Sequence, residues 1–323
     1  MKTSSLPRET TYPLPRLRGP SRQWKDKAAR KSFFIITALP LLLLVGIILA
    51  LALRSRPILE AHSALELLSG RIWKPYSGQF GMYPFLLGTL WVTALALVLA
   101  VPPCLLTALY LSEYAHARTA ALLKPLLDLL AGIPSVVYGV WGMVAIVPLV
   151  QRLSESTGQI LAFLPALRSA NPTGFSLLAG GIVLAVMIIP FIISVTYEVL
   201  RTVPDGLREA SLAVGATRWQ TIKHAVLPQT VPGIVAGIVL GASRALGETM
   251  AVLMVVGNVA QIPHSIFDPA YPLPALIANN YGEMMSIPLY DAALLGAALL
   301  LLLVVMAFNL ASTLVLKYVM RGV

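Results

Sequence analysis

Six stretches of this chain are apolar almost without interruption, at residues 33–53, 85–111, 126–150, 175–200, 230–256 and 292–316. Each meets the roughly 20 residues that a helix needs to cross ~30 Å of hydrocarbon. None alternates apolar with polar positions as the strands of a membrane barrel do. Unpaired backbone groups are costly against lipid, so a helix is predicted for every run. Pro40, Pro102, Pro103 and Pro190 lie inside runs and predict kinks that neighbouring helices must satisfy, hence a bundle. The predicted fold class is an all-α membrane protein with six transmembrane helices.

Composition agrees: of 323 residues 57% are hydrophobic and only 12% charged, against roughly a quarter charged in a soluble domain. Charge adds an orientation. With the N-terminus inside, the segments on that side carry 17 Lys and Arg and the opposite loops 6. Basic residues stay on the cytoplasmic side, so both ends are expected there. Residues 1–32 contribute nine of the 17. Their basic, proline-rich sequence reads as a disordered cytoplasmic tail held near anionic lipid heads, and not as a nucleic-acid footprint. Residues 54–84 become an external loop in which Trp73, Tyr76 and Tyr83 read as interface anchors. Residues 201–228 become a cytoplasmic loop, and 317–323 a cytoplasmic C-terminus. Ala50-Leu51-Ala52 has the small residues of a cleavage site, but the run before it exceeds the ~7–15 residues of a signal-peptide core, so it is expected to stay as a span.

Chemistry of the enzyme kind finds no residues to carry it. The sequence contains no Gly-Lys dipeptide for a phosphate-cradling loop and no Gly-x-Ser-x-Gly elbow. His62, His116, His224 and His264 are scattered and lack metal-site spacing. Cys104 is the only cysteine and reads as a packing residue in the second span. No catalytic residue, cofactor or metal is predicted. Transport against a gradient with ATP would need an ATPase on another chain.

The loop 201–228 is polar yet helical in pattern. Leu207, Ala210, Ser211 and Val214 form a narrow stripe at i, i+3, i+4, i+7. Asp205 suits its start and Gly215 a left-handed end. Thr217 and Gln220 have capping-box spacing for a second short helix, which Pro228 is expected to end. The result is a helix–glycine–helix module facing the cytoplasm, either a plain surface loop or a docking element.

Glu209-Ala210-Ser211, then Gly215, then Leu227-Pro228 resemble the EAA loop of ABC-importer permeases, whose pattern is Glu-Ala-Ala, a spacer, Gly, a longer spacer and Ile-x-Leu-Pro. Ser211 replaces the second Ala and Ala225 the Ile. The runs Gly132-Ile133-Pro134-Ser135-Val136-Val137-Tyr138-Gly139 and Arg244-Ala245-Leu246-Gly247-Glu248-Thr249-Met250-Ala251-Val252 are similar to the PstC family of phosphate-specific permeases. So are Gly257-Asn258 and Leu111-Ser112-Glu113-Tyr114. The resemblance covers residues 84–323. It implies a type I ABC-importer permease core, over 85–316, in a bacterial inner membrane. It also implies that Glu209, Ala210, Gly215, Leu227 and Pro228 belong to a coupling helix seated in a PstB-like ATP-binding dimer. A PstA-like second permease would complete the path, and an external PstS-like phosphate-binding protein would deliver substrate. The neighbouring reading is a permease for another oxyanion, sulfate or molybdate. A transporter working alone would not need the exposed loop, and a membrane enzyme lacks its residues.

Arg244 and Glu248 stand inside the fifth run, where an arginine costs ~2.5–3.5 kcal/mol on insertion scales. At i, i+4 they would share one helix face and pair. Two readings follow: a buried pair that fixes register, or an anion path in which Arg244 offers a forked donor and Glu248 limits its pull. The resemblance favours the path. Gly233, Gly237, Gly241 and Ala245 form a small-residue ridge on the same helix, suited to close approach by another helix. Thr89 and Thr93, and Ser135 and Tyr138, are candidates for path lining or for bonds to backbone. Lys124 and Asp128 read as an ion pair.

Overall fold

The computed structural model describes residues 20–160, 173–282 and 288–321. Among the described residues six helices are long and apolar enough to cross a membrane: Lys27–Arg54, Tyr83–Tyr114, Ser135–Ser156, Leu177–Arg201, Arg218–Leu246 and Leu289–Tyr318. The chain divides into two units, one up to Ala50 and one from Leu51. Helix α1 (Pro20–Arg54) starts earlier than expected, so residues 20–32 are helical and not disordered. Pro20 fits the first helical position, and the Gln, Lys, Ala and Arg after it favour helix. The first 19 residues of the expected tail lie outside the described residues.

The segment 54–84 is folded. It carries α2 (Arg56–Ala61), α3 (Ala64–Ser69) and a hairpin of β1 (Trp73–Lys74) and β2 (Gln79–Phe80), which pairs Trp73 with Phe80 across a turn at Gly78. Trp73 is a packing residue and not a free interface anchor. Its ring meets Phe85 edge-on at 5.0 Å and Phe80 at 5.6 Å, with Tyr290 at 5.9 Å. Tyr76 is 81% exposed.

Helix α4 (Tyr83–Leu109) ends in a π turn, Tyr110–Tyr114. Helix α5 (Ala117–Ala131) follows, then α6 (Ser135–Trp141) and, after a π turn over Gly142–Ile146, α7 (Val147–Ile160). The third apolar run is therefore two helices. Pro134 has no N–H to donate and restricts Ile133 to extended backbone, so the helix stops at Gly132 although every residue there is apolar or small.

Helix α8 (Leu177–Arg201) is the most buried of the six spans and the hub of the second unit. It packs most widely against α4, then against α5 and the later α11. Buried Val92, Ala96, Ala100, Cys104 and Ala108 of α4 recur every fourth residue and are mostly small. Helices in lipid gain nothing by hiding apolar surface from one another, so they associate through close packing that such small side chains permit. The Cys104 thiol reaches the Ile189 carbonyl at 3.5 Å.

After α8 come α9 (Asp205–Ala213) and α10 (Arg218–Thr221), then a π turn at Ile222–Val226 into α11 (Leu227–Leu246). The glycine ridge of α11 packs against α8. An added Cβ would lie 2.5 Å from Val199 at Gly233, 3.0 Å from Val195 at Gly237 and 2.7 Å from Ile192 at Gly241. The fifth run also breaks, at Gly247, before the short α12 (Met250–Leu253). Helix α13 (Leu273–Asn280) then returns to α4, where the Thr89 hydroxyl accepts the free Leu273 N–H at 2.9 Å and donates to Phe85 O at 2.8 Å. Thr89 is thus a helix cap in the core and lines no path. Helix α14 (Pro288–Arg321) closes the fold, bonded to α11 through Ser243 and Asn309 at 2.8 Å.

Two substitutions test this packing. Gly237→Leu should destabilise the detergent-solubilised protein by about 1–3 kcal/mol of overpacking, while Gly206→Ala, where a Cβ meets nothing within 4 Å, should not. Equal thermal unfolding of the two would refute the ridge contact. Buried Thr196 beside Gly237 has a hydroxyl with no hydrogen-bond partner among the described residues. Thr196→Val should therefore raise the unfolding temperature; a fall would mean that the hydroxyl is satisfied.

Candidate functional site

The break after α11 brings together residues far apart in sequence. Arg244 is exposed in the last turn of α11. Its Nη2 donates to Ala131 O, the last residue of α5, at 3.3 Å, and its guanidinium carbon lies 5.9 Å from the centre of the Phe191 ring. Phe191 is near the middle of α8, so Arg244 sits at mid-depth of a spanning helix. Tyr138, from α6, donates its hydroxyl to Leu130 O at 2.8 Å. Ala131 O, at the end of α5, is thereby held by a side chain from α11, and Leu130 O, which also accepts from the Ile133 N–H at 3.2 Å, gains a second donor from α6. The helices that follow the two breaks, α6 after Pro134 and α12 after Gly247, pack closely against each other. A Cβ at Gly139 would lie 2.7 Å from Met254 Sδ and 3.2 Å from Ala251 Cα.

Glu248 does not pair with Arg244. Because α11 stops at Leu246, the i, i+4 relation no longer describes one helix face. The Glu248 carboxylate instead accepts from the Ala251 N–H at 3.2 Å, which starts α12. Arg244 forms no ion pair among the described residues, and most of its five donors are uncommitted. Lys124 and Asp128 likewise do not pair with each other. Lys124 pairs with Glu198 at 2.5 Å and Asp128 accepts from Ser194 at 2.7 Å, so both tie α5 to α8. Thr93 is buried in the bundle and Ser135 half-buried at the start of α6.

The loop after α8 forms as its caps dictate. Helix α9 ends in a Schellman motif: Gly215 is left-handed at φ +85°, with Gly215 N–H bonded to Leu212 O at 3.0 Å and Ala216 N–H to Ser211 O at 3.3 Å. Thr217 and Gln220 complete the capping box, side chain to backbone at 3.3 Å and 2.8 Å. Pro228 does not end a helix. It lies in the first turn of α11, just after the π turn whose register shift removes the need for its N–H. The expected stripe splits. Leu207 and Ser211 turn inward, Ser211 meeting Thr221 at 2.9 Å, while Ala210 and Val214 are exposed. Glu209 and Gly215 are exposed, and Leu227 and Pro228 half-buried. Leu212, Val214 and Trp219 are 44%, 85% and 57% exposed, three large apolar side chains open on a polar loop.

One residue of this loop is missing from the sequence reading. Arg208 is half-buried and donates to Glu113 Oε1 and Oε2 at 2.9 and 3.2 Å, to Leu200 O at 3.0 Å, to Val203 O at 2.6 Å and to Asp205 at 3.3 Å. The Glu113 carboxylate, hydrogen-bonded to it, raises the Arg208 pKa above its ordinary value. Glu113 and Arg208 are 95 residues apart, and nothing local in the sequence pairs them.

The family described as binding-protein-dependent transport system inner membrane component matches residues 105–323. The phosphate transport system permease protein PstC of Haemophilus influenzae is 34% identical over 88% of this chain and 90% of that protein. PstC of Xylella fastidiosa is 33% identical over 99% of each chain. Among solved structures, a bacterial ABC transporter involved in the import of the acidic polysaccharide alginate superposes with a TM-score of 0.52 at 18% identity, over 90% of this chain and 98% of that one. The MetNI methionine ABC transporter, inward facing, gives 0.50 at 22% identity, over 74% and 94%. This chain, with its broken spans and capped loop, belongs to the binding-protein-dependent transport system inner membrane components, and within them to the PstC permeases.

Proposed function

We propose that this chain forms half of the membrane path of an ATP-driven importer of inorganic phosphate. The observation that carries the reading is Arg244: a cation with free donors, exposed at mid-depth of the bundle beside two helix breaks. A charge in that position is stable only against water or another protein surface, and irregular backbone in a membrane is tolerated under the same condition. A path shared with a PstA-like second permease meets it. There the Arg244 fork suits phosphate oxygens. Glu248, engaged in starting α12, adds negative charge to the region, which favours release of an anion over tight retention. The names of the PstC relatives support phosphate over sulfate or molybdate as the ion.

The basic-residue count supports both ends in the cytoplasm. The loop with Glu209, Ala210, Gly215, Leu227 and Pro228 then faces a PstB-like ATP-binding pair, and the exposed Leu212, Val214 and Trp219 are its apolar contact. The ATPase chemistry resides on that pair and not on this chain. The folded segment 54–84 faces the outside, where a PstS-like binding protein delivers phosphate. Membrane lipids cover the remaining apolar faces.

Vesicles carrying the whole complex provide the test. Arg244→Gln removes the charge and the forked donors while keeping a polar side chain at the position. ATP-dependent uptake of radiolabelled phosphate should drop about tenfold or more, the scale of a lost charge-assisted hydrogen bond. Unchanged uptake would make Arg244 only a cap for α5. For the docking surface, Leu212→Ala with Trp219→Ala should lower ATPase co-purification while the permease remains folded. Full retention would place the contact elsewhere.

A further inference from the structure

Motion at the docking loop must reach the spans through something stiff; α10 runs through its π turn straight into α11, and α9 has a separate polar connection. Outward, α9 presents exposed residues; sideways, Ser211 ties it to Thr221 of α10. Inward, the polar connection is the Arg208 guanidinium. A guanidinium has five N–H donors in a rigid plane. Here five acceptors surround them: two oxygens of Glu113, the carbonyls of Leu200 and Val203, and the Asp205 carboxylate. The side chains of Arg208 and Glu113 are 18% and 9% exposed. An exposed pair of this kind contributes little, but a forked pair shielded from water is among the strong contacts.

The positions of the acceptors matter more than their number. Leu200 O is in the last turn of α8, where carbonyls lack helical partners and the dipole attracts a cation. Glu113 belongs to the π turn that ends α4, closed by Ala115 N–H to Tyr110 O at 2.8 Å. The extra residue in such a turn re-aims the last side chains of the helix. One planar group therefore fixes α9 to the ends of both α4 and α8, the two most extensively packed helices. The far side of that pair reaches the Arg244 break through Phe191.

We infer that Arg208 is a positioning residue that transmits displacement of α9 to α4 and α8, with Glu113 as its anchor. This rests on the reading of α9 and α10 as the ATPase docking loop. Glu113→Gln removes the charge and one acceptor without touching the exposed apolar side chains. Arg208→Lys keeps the charge but replaces the fork with a compact ammonium that cannot span the five acceptors.

The test measures ATP hydrolysed and phosphate taken up in parallel, in vesicles with the complete complex. In either variant the ATPase should still co-purify and hydrolyse ATP, while phosphate taken up per ATP falls about tenfold, the scale of one lost charge-assisted contact. The double variant should lose no more than the worse single one, as for two ends of one link. An unchanged ratio in both variants would overturn the proposal. So would loss of the ATPase from both, which would reduce Arg208 to shaping the docking loop, or fully additive losses. Failure of the docking reading looks different: Leu212→Ala with Trp219→Ala would then leave ATPase binding intact in the otherwise native chain.

Discussion

Close approach of helix backbones is the condition on which the rest of this structure depends. Lipid removes the usual reason for apolar side chains to cluster, so contact area and small residues must do the work. α8 obtains this from both sides. On one face α4 offers a small residue every fourth position from Ala96 to Ala108, and on another α11 offers Gly233, Gly237 and Gly241. With α8 held this tightly, interruptions in its neighbours become tolerable. The breaks at Gly132 to Pro134 and at Gly247 each leave backbone groups without helical partners. The bundle supplies substitutes from Arg244 and Glu248, and Tyr138 adds a second donor to Leu130 O.

The spans were legible from hydropathy because transfer to lipid acts on composition alone. Hydropathy could not find the two breaks. Gly132, Ile133 and Pro134, like Gly247, are apolar or small, so they extend an apolar run while ending a helix. The false pairing of Arg244 with Glu248 follows from that error. The C-terminal cap of α9 and the N-terminal cap of α10 were legible because their chemistry is local: a left-handed glycine and a Thr-x-x-Gln box act within a turn. Asp205, expected to cap the start of α9, is instead its first helical residue, after Pro204, and bonds Arg208.

Contacts between distant segments were not legible. By spacing Lys124 belongs with Asp128 four residues on, but the fold pairs it with Glu198. Glu113 stood out as a member of a motif and Arg208 not at all, since no periodicity links residues 95 apart. The segment 54–84 gave no sequence signal because its aromatic cluster needs Tyr290, from the other end of the chain. In each case the information lies in which helices become neighbours, and that is settled by packing around α8.

The two arginines differ in how far their donors are engaged. Arg208 has an acceptor for each of its donors, every one within the protein and most of them shielded. A group so fully engaged has nothing left to offer a ligand, and its value is rigidity. Arg244 gives one donor to a carbonyl and leaves the others open, at a depth where an unmatched charge is expensive. The same side-chain chemistry thus acts as a strut where all its partners are fixed, and keeps donors open where only one partner is fixed. The fold determines which, through the helix end that each arginine is placed beside.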